Sequence, residues 1–457
     1  MNIYKLALLL RRHYSRISPM QMIAVVFLAI ILFGGFLLSL PLSSRSGQWT
    51  SYLSSVFTAT SATCVTGLTI YDTFTHWSNF GQVVILVLIQ VGGLGFMTIA
   101  SFFFLVANRR IGLKQRLLLA QSLGVDQISG IVRLVYKVLV RTAIIEGVGA
   151  LILTVRFAFL VPLDRALWWG IFHSISAFCN AGFDVVGAVD VGGSLIPFVG
   201  DWVVNLTIIA LITLGGLGFF VWDDVLTKRR FRKMAVYTRL VLIISAILAL
   251  GGGALIALVE WNNPATLGGL PAAEKCLAAL FQSVTSRTAG FYSIPQGAMS
   301  DSAKAITDAL MLVGGSSGST AGGVKTVTMG VLILAVIAAA RGRSRVTVFR
   351  RTINAQQVSD AVAVAVLVFG MSFTAGLILS ATNGLPLIDC IFETISAIAT
   401  VGLSTGITPG LNVLSQILLI VLMYFGRVGV MTISLGFLLT NVAEERYRYA
   451  DTKVMIG

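Results

Sequence analysis

Six stretches of this sequence, 17–44, 73–108, 202–222, 240–259, 361–388 and 394–426, contain no Asp, Glu, Lys or Arg. About 20 apolar residues cross a bilayer as a helix. In lipid only helices and closed barrels satisfy their own backbone polar groups. A further stretch near 131–160 is interrupted by Lys137, Arg141, Glu146 and Arg156, and another, 302–340, by a run of Gly, Ser, Thr and Ala. The chain is 56% apolar and 11% charged, where a soluble domain carries about 25% charged residues. That balance excludes a soluble enzyme, a disordered chain and a fibrous protein, and predicts an all-α polytopic membrane protein.

The net charge of +14 comes from basic residues gathered between these stretches: 1–18, 109–116 with Arg133, Lys137 and Arg141, 228–239, 341–351 and the C-terminal tail. In a soluble protein such charge suggests nucleic acid. Between spans it reads as topogenic loops on the cytoplasmic side, so no nucleic-acid partner is expected. Both termini then lie inside, and eight crossings fit. Cys64, Cys179, Cys276 and Cys390 lack zinc-type or CxxC spacing, and His13, His76 and His173 lack metal-ligand spacing. No P-loop, GxSxG or HExxH pattern is present. The N-terminus has no small-residue cleavage site and does not read as a removed signal.

The basic regions divide the chain into four units, 1–108, 109–230, 231–345 and 346–457, and the units repeat. Each contains a phenylalanine followed by small and polar residues and then a glycine: Phe57 to Gly67, Phe172 to Gly182, Phe281 to Gly290 and Phe392 to Gly402, spaced ten, ten, nine and ten. A second motif comes after each: Val91-GGLGFMT, Leu214-GGLGFFV, Val313-GGSSGST and Phe425-GRVGVMT. One such motif alone could be a small-residue helix contact; four in register imply a shared architecture. Each unit reads as an apolar span, a segment of about 12 residues too short to cross, a turn ending in glycine, and a second apolar span. The short segment suits a re-entrant pore helix.

Four such units around one axis aim the partially negative helix C-termini at the centre. Turns such as Cys64-Val-Thr-Gly67 expose carbonyls that can replace a monovalent cation's hydration shell, and glycine permits close backbone approach. Asp72, Asp184, Asp389 and Glu393 on the outer side either add attraction or form a solvated rim. In unit three the second span is broken by Gly314, Gly315, Ser316, Ser317, Gly318, Ser319, Thr320, Ala321, Gly322 and Gly323. This run forms helix poorly and is expected to lie under the third turn as a gate. Irregular backbone at this depth must line a cavity or be buried in protein.

These four units resemble the Trk/Ktr/HKT superfamily of potassium transporters, in particular its KtrB-type membrane subunit, over about residues 17–440. The resemblance rests on Gly67, Gly182, Gly290 and Gly402, on the broken helix of unit three, and on Arg427 in the second span of unit four. It implies four M1–P–M2 units, with eight transmembrane helices and four re-entrant pore helices around one pore. It also implies that glycine in all four turns goes with K⁺ preference, members with serine in the first turn tending to carry Na⁺. The ion-binding filter then comprises Val65, Thr66, Gly67, Asn180, Ala181, Gly182, Thr288, Ala289, Gly290, Thr400, Val401 and Gly402. The unequal residues before the glycines, and the shorter unit three, make the expected field only roughly fourfold. Family members work as homodimers with a cytosolic nucleotide-binding ring of the KtrA/TrkA type, in the bacterial plasma membrane. The basic loops fit such a ring or anionic membrane lipid equally.

Arg427 stands among uncharged residues from 394 to 443, where an arginine is costly. It is expected on the pore axis as an electrostatic barrier partnering the glycine-rich run, against the alternatives of a structural ion pair or snorkelling. Lys325 anchors that run, lines the pore, or snorkels. Arg141 and Glu146 are expected to pair, and Arg287 is a candidate partner for an acid behind the filter. The function expected is channel-like translocation of K⁺, with Na⁺ as a second candidate, and the ion is the only cofactor. An H⁺- or Na⁺-coupled symporter stays open, although the pore segments offer no clear intramembrane carboxylate. A lipid-acting membrane enzyme lacks a catalytic constellation, so no enzyme activity is expected. A non-transporting scaffold leaves the four turns unexplained.

Overall fold

The computed structural model describes residues 19–95, 131–187, 189, 193–343 and 345–429. The basic segments 1–18 and 109–116 and the C-terminal tail lie outside the described residues. A helical motif recurs four times along the chain. The first copy is α1 (Pro19–Ser39), α2 (Tyr52–Thr63) and α3 (Asn79–Leu94). The second is α4 (Ile131–Phe157), α5 (Leu163–Phe178), α6 (Trp202–Leu217) and α7 (Phe219–Lys228). The third is α8 (Val236–Glu260), α9 (Ala272–Thr285), α10 (Asp301–Met311) and α11 (Thr326–Ala340). A short hairpin, β1 (Thr347–Val348) and β2 (Arg351–Thr352), leads to the fourth: α12 (Ala355–Asn383), α13 (Leu387–Ile398) and α14 (Val413–Val428).

The first helix of each copy, α1, α4, α8 and α12, is long and apolar enough to cross a membrane. These helices turn large apolar side chains outward: Leu151 is 65% exposed and Leu258 78%. The interior instead holds hydroxyls, with Thr58, Thr60, Ser174 and Ser283 fully buried among the phenylalanines of the repeat. Apolar outside and polar within is the arrangement for lipid as solvent.

The expectation of eight crossings falls partly outside the described residues, since α3 and α14 run up to their limits. Among the described residues four helices are long enough to span, or five if the bent pair α6–α7 counts as one. Helices α3, α6 and α14 have 16 residues each, about 24 Å. They stop at Gly95, Gly218 and Gly429, all with positive φ (79°, 89° and 96°). At Gly218 the chain bends by 94° into α7. In the third copy the glycine-rich run separates α10 from α11. Among the described residues the second motif therefore ends α3 and α14, bends α6 into α7, and in the third copy separates α10 from α11. Its glycine adopts a left-handed conformation that other residues avoid. Residues 96–130 and 430–457, directly after Gly95 and Gly429, lie outside the described residues.

Each second helix starts on a side-chain cap. Ser78, Asp201, Ser300 and Asn412 accept from the backbone N–H groups of Gly81, Val203 and Val204, Ala303 and Ser415, which satisfies donors the first turn leaves free. It then packs against the short helix of the next copy: α3 on α5, α6 on α9, α10 on α13, and α14 back on α2. The four copies close into a ring.

Two expected polar arrangements are corrected. Arg141 bonds to Asp223 at 3.2 Å, not to Glu146, and Glu146 accepts from Gln90 of α3 at 3.0 Å. A spacing of five turns two side chains about 140° apart on a helix, so they cannot meet. Asp389 is not a solvated rim acid: it pairs with Lys304 at 2.8 Å, tying α10 to α13. Removing one partner of a buried pair costs about 3–5 kcal/mol, and both Lys304 and Asp389 have largely covered side chains. Lys304→Met is therefore expected to lower the melting temperature in detergent clearly, and adding Asp389→Asn to restore most of the loss. Equal melting of the single and double variants would show the pair to be dispensable.

Candidate functional site

The short helices α2, α5, α9 and α13 all end in the same way. Two residues before each repeat glycine stands a non-glycine residue with positive φ: Val65 (58°), Asn180 (60°), Thr288 (67°) and Thr400 (52°). In three copies this residue completes a Schellman cap. The N–H of Thr66 bonds to Ser61 O, Ala181 to Ser176 O, and Val401 to Ser396 O, at 2.7–2.8 Å. The third copy, one residue shorter, replaces this with Ala289 N–H to Thr285 O at 2.9 Å. Left-handed β-branched residues are strained, and strain of this kind collects at functional sites.

After these caps the four glycines, with φ of 102°, 70°, 81° and 93°, meet around one centre. A Cβ on Gly67 would lie 2.7 Å from Ala181 O, on Gly182 2.8 Å from Ala289 O, and on Gly290 2.6 Å from Val401 O. On Gly402 it would strike Thr66 O, which closes the circle. Each turn thus presents its glycine to the carbonyl of the next. All twelve residues expected in the filter are brought into these four adjoining turns. The conformation and the close approach each require glycine there.

A hydroxyl that sequence reasoning did not single out supports every turn. It lies four residues after each repeat phenylalanine. Ser61 and Ser396 accept from the N–H of Gly67 and Gly402 at 3.0 Å. Ser176 and Thr285 donate to Phe183 O at 2.7 Å and Phe291 O at 2.5 Å. The register was readable in the repeat; the partner, six or seven residues on, was not. Glu393 is fully buried rather than at an outer rim, and its carboxylate accepts from Thr408 of the chain beyond the turn.

The glycine-rich run lies against the same turns. Thr320 donates to Phe178 O at 3.0 Å. A Cβ on Gly314 would meet Thr288 at 3.2 Å, and one on Gly323 would meet Ala399 O at 2.8 Å. The run is tied to the end of α6 through Ser316 N–H to Gly216 O at 3.0 Å and Phe219 N–H to Gly318 O at 2.9 Å. Arg427 reaches it from α14, donating to Thr320 O at 2.5 Å, to Gly93 O at 3.1 Å and to Gly92 O. Among the described residues Arg427 has no acidic partner; its charge rests on carbonyls at a helix C-terminus, where cations are favoured. Lys325 donates to Ala321 O at 2.8 Å within the run. Arg287 meets no acid among the described residues; it donates to Ser245 Oγ and Thr326 Oγ1, and Thr326 in turn bonds Gly314 O.

A ring of carbonyl-bearing turns inside a closed bundle defines a membrane protein built to pass ions. The profile of the TrkH family, described as a cation transport protein, matches residues 12–444, and the chain belongs to that family. It is 40% identical to the potassium/sodium uptake protein NtpJ of Enterococcus hirae, over 98% of this chain and 99% of that one. It is 39% identical to the Ktr system potassium uptake protein B of Bacillus subtilis, over 97% and 98%. Its fold matches the crystal structure of the potassium transporter TrkH from Vibrio parahaemolyticus with a TM-score of 0.69 at 20% identity, covering 91% of this chain and 85% of that one. The relatives are named as ion transporters, not enzymes.

Loss of a hydroxyl that holds a buried N–H costs about 1–3 kcal/mol. Ser61→Ala and Ser396→Ala are expected to lower thermal stability by that order and to weaken discrimination between K⁺ and Na⁺ in liposome flux. A stability loss with unaltered discrimination would make these residues structural only.

Proposed function

We propose that the chain is the membrane subunit of a bacterial potassium uptake system, passing K⁺, with Na⁺ as a second ion, through a filter of the four glycine turns. The observation that carries this is the closed circle in which each glycine abuts the carbonyl of the next turn. Carbonyls and helix C-termini favour cations, and Thr66, Thr288 and Thr400 add buried hydroxyls without partners among the described residues. The four units, 1–108, 109–230, 231–345 and 346–457, act as M1–P–M2 repeats around this pore. The protein sits in the plasma membrane with both termini cytoplasmic, as the basic segments favour. The names of the Ktr relatives, which denote parts of a system, support a separate cytosolic regulatory subunit. We also assign a homodimer, with one pore per chain.

The segment Gly314–Gly323 acts as the gate in this reading, with Arg427 and Lys325 as its electrostatic latch. Movement of the run must break the bonds from Arg427 to Thr320 O and from Tyr237 to Ser317 O. Five of its ten residues are glycine, which makes rearrangement cheap. Arg427→Ala, or a shortened run, is expected to raise K⁺ flux of purified protein in liposomes and reduce its dependence on the regulatory subunit. Monodisperse variants with flux at or below wild type would count against a gate.

For the filter itself, Gly67→Ser adds atoms where Ala181 O leaves no room. It is expected to reduce K⁺ preference over Na⁺ more than it reduces protein yield. Unchanged ion competition in a well-expressed variant would sink the assignment.

A further inference from the structure

The side of the molecule that carries the basic loops holds a pocket of about 890 Å³. Its rim bears Lys233, Arg239 and Arg351, none with an acidic partner among the described residues. Lys228, also on the rim, is neutralised by Asp224 at 2.7 Å. The acid present in the lining, Asp360, accepts from Gln356 at 2.9 Å. The deeper wall is apolar, with Val327, Val331 and Val364.

Two further features single this pocket out. The hairpin that contributes Arg351 turns through Phe349 and Arg350, both with positive φ (48° and 63°). Such a turn favours Asn and Gly and is strained for bulky residues. Here it sets the Phe349 ring 4.5 Å from the Arg239 guanidinium. Two residues before Arg239 on α8, Tyr237 donates its hydroxyl to Ser317 O of the glycine-rich run at 2.8 Å. The pocket therefore touches the segment assigned as the gate.

We propose that this pocket binds the phosphate of an anionic phospholipid headgroup, and that its occupancy sets how readily the Gly314–Gly323 run moves. The second part rests on the gate reading; the first does not. A lipid fits better than a free phosphate compound because the wall beneath the basic rim is apolar. One turn on from Val364 along α12, Leu367 is 39% exposed, on the same helix face, so the apolar wall leads to a surface open to acyl chains.

The test uses the full-length protein, with phosphatidylglycerol as probe. Each basic residue near an anionic surface is worth about fivefold in affinity. Lys233→Gln with Arg351→Gln is therefore expected to cut phosphatidylglycerol retained through purification roughly tenfold or more, and Asp360→Asn to raise it. In flux assays wild type is expected to respond to phosphatidylglycerol added to phosphatidylcholine vesicles, and the double variant not to respond. Equal retention by wild type and both variants overturns the site. Inorganic phosphate reproducing the lipid effect in phosphatidylcholine vesicles overturns the lipid assignment. Retention that rises only when residues 430–457 are removed makes that segment the occupant instead. Altered retention with unaltered flux removes the link to the gate while keeping the site. Retention is read without transport, so a failed filter assignment leaves that result intact.

Discussion

A backbone carbonyl in a membrane must have a partner, and the centre of this protein is organised around carbonyls that their own helices leave free. Four short helices end facing one another, and each ends in a turn that sets a glycine against its neighbour. The approach is so close that a single methyl group on Gly182 would stand 2.8 Å from Ala289 O. That spacing fixes the rest: the phenylalanines that anchor the short helices, the hydroxyls that hold the turns, and the packing of each second helix on the following copy. Partially negative helix ends converging in a low-dielectric interior favour cations over anions.

The interruption of the second helices answers the same requirement lower down. The ends of α3, α6 and α14 at glycine leave further carbonyls free, and the run in the third copy adds its own. Arg427 satisfies three of them, at Gly92, Gly93 and Thr320. A buried guanidinium normally needs a carboxylate; here helix-end dipoles take that part. In the proposed reading, a cation held this way opposes the passage of another. It also joins α14 to α3 and to the glycine-rich run, so one side chain links three of the four copies.

Fourfold repetition is not fourfold identity. In the third copy the shorter turn forgoes the Schellman cap and the second helix is split in two. Arg287 lies beside that turn and reaches Thr326, whose hydroxyl holds the start of the glycine-rich run. The asymmetry is thus concentrated where the third turn and the run are joined by a short chain of hydrogen bonds.

Much of this was legible in the amino-acid sequence because it depends on local spacing. Uncharged stretches declare a membrane helix, and Phe-to-Gly spacings of ten, ten, nine and ten declare four equivalent turns. The glycine demanded by a left-handed backbone stands out wherever it recurs. Tertiary structure decided what depends on partners distant in the chain. Glu146 belongs to Gln90 rather than Arg141, Asp389 to Lys304, and Arg427 to carbonyls instead of an acid. Buried polar groups take whatever the fold places within hydrogen-bond reach, and neither sequence spacing nor composition encodes that neighbour. Even the glycines of the second motif told only that helices could break at those positions. Closure of the bundle decided what meets those helix ends: it brings Arg427 of α14 to the carbonyls at the end of α3, and the end of α6 to Ser316 and Gly318 of the run.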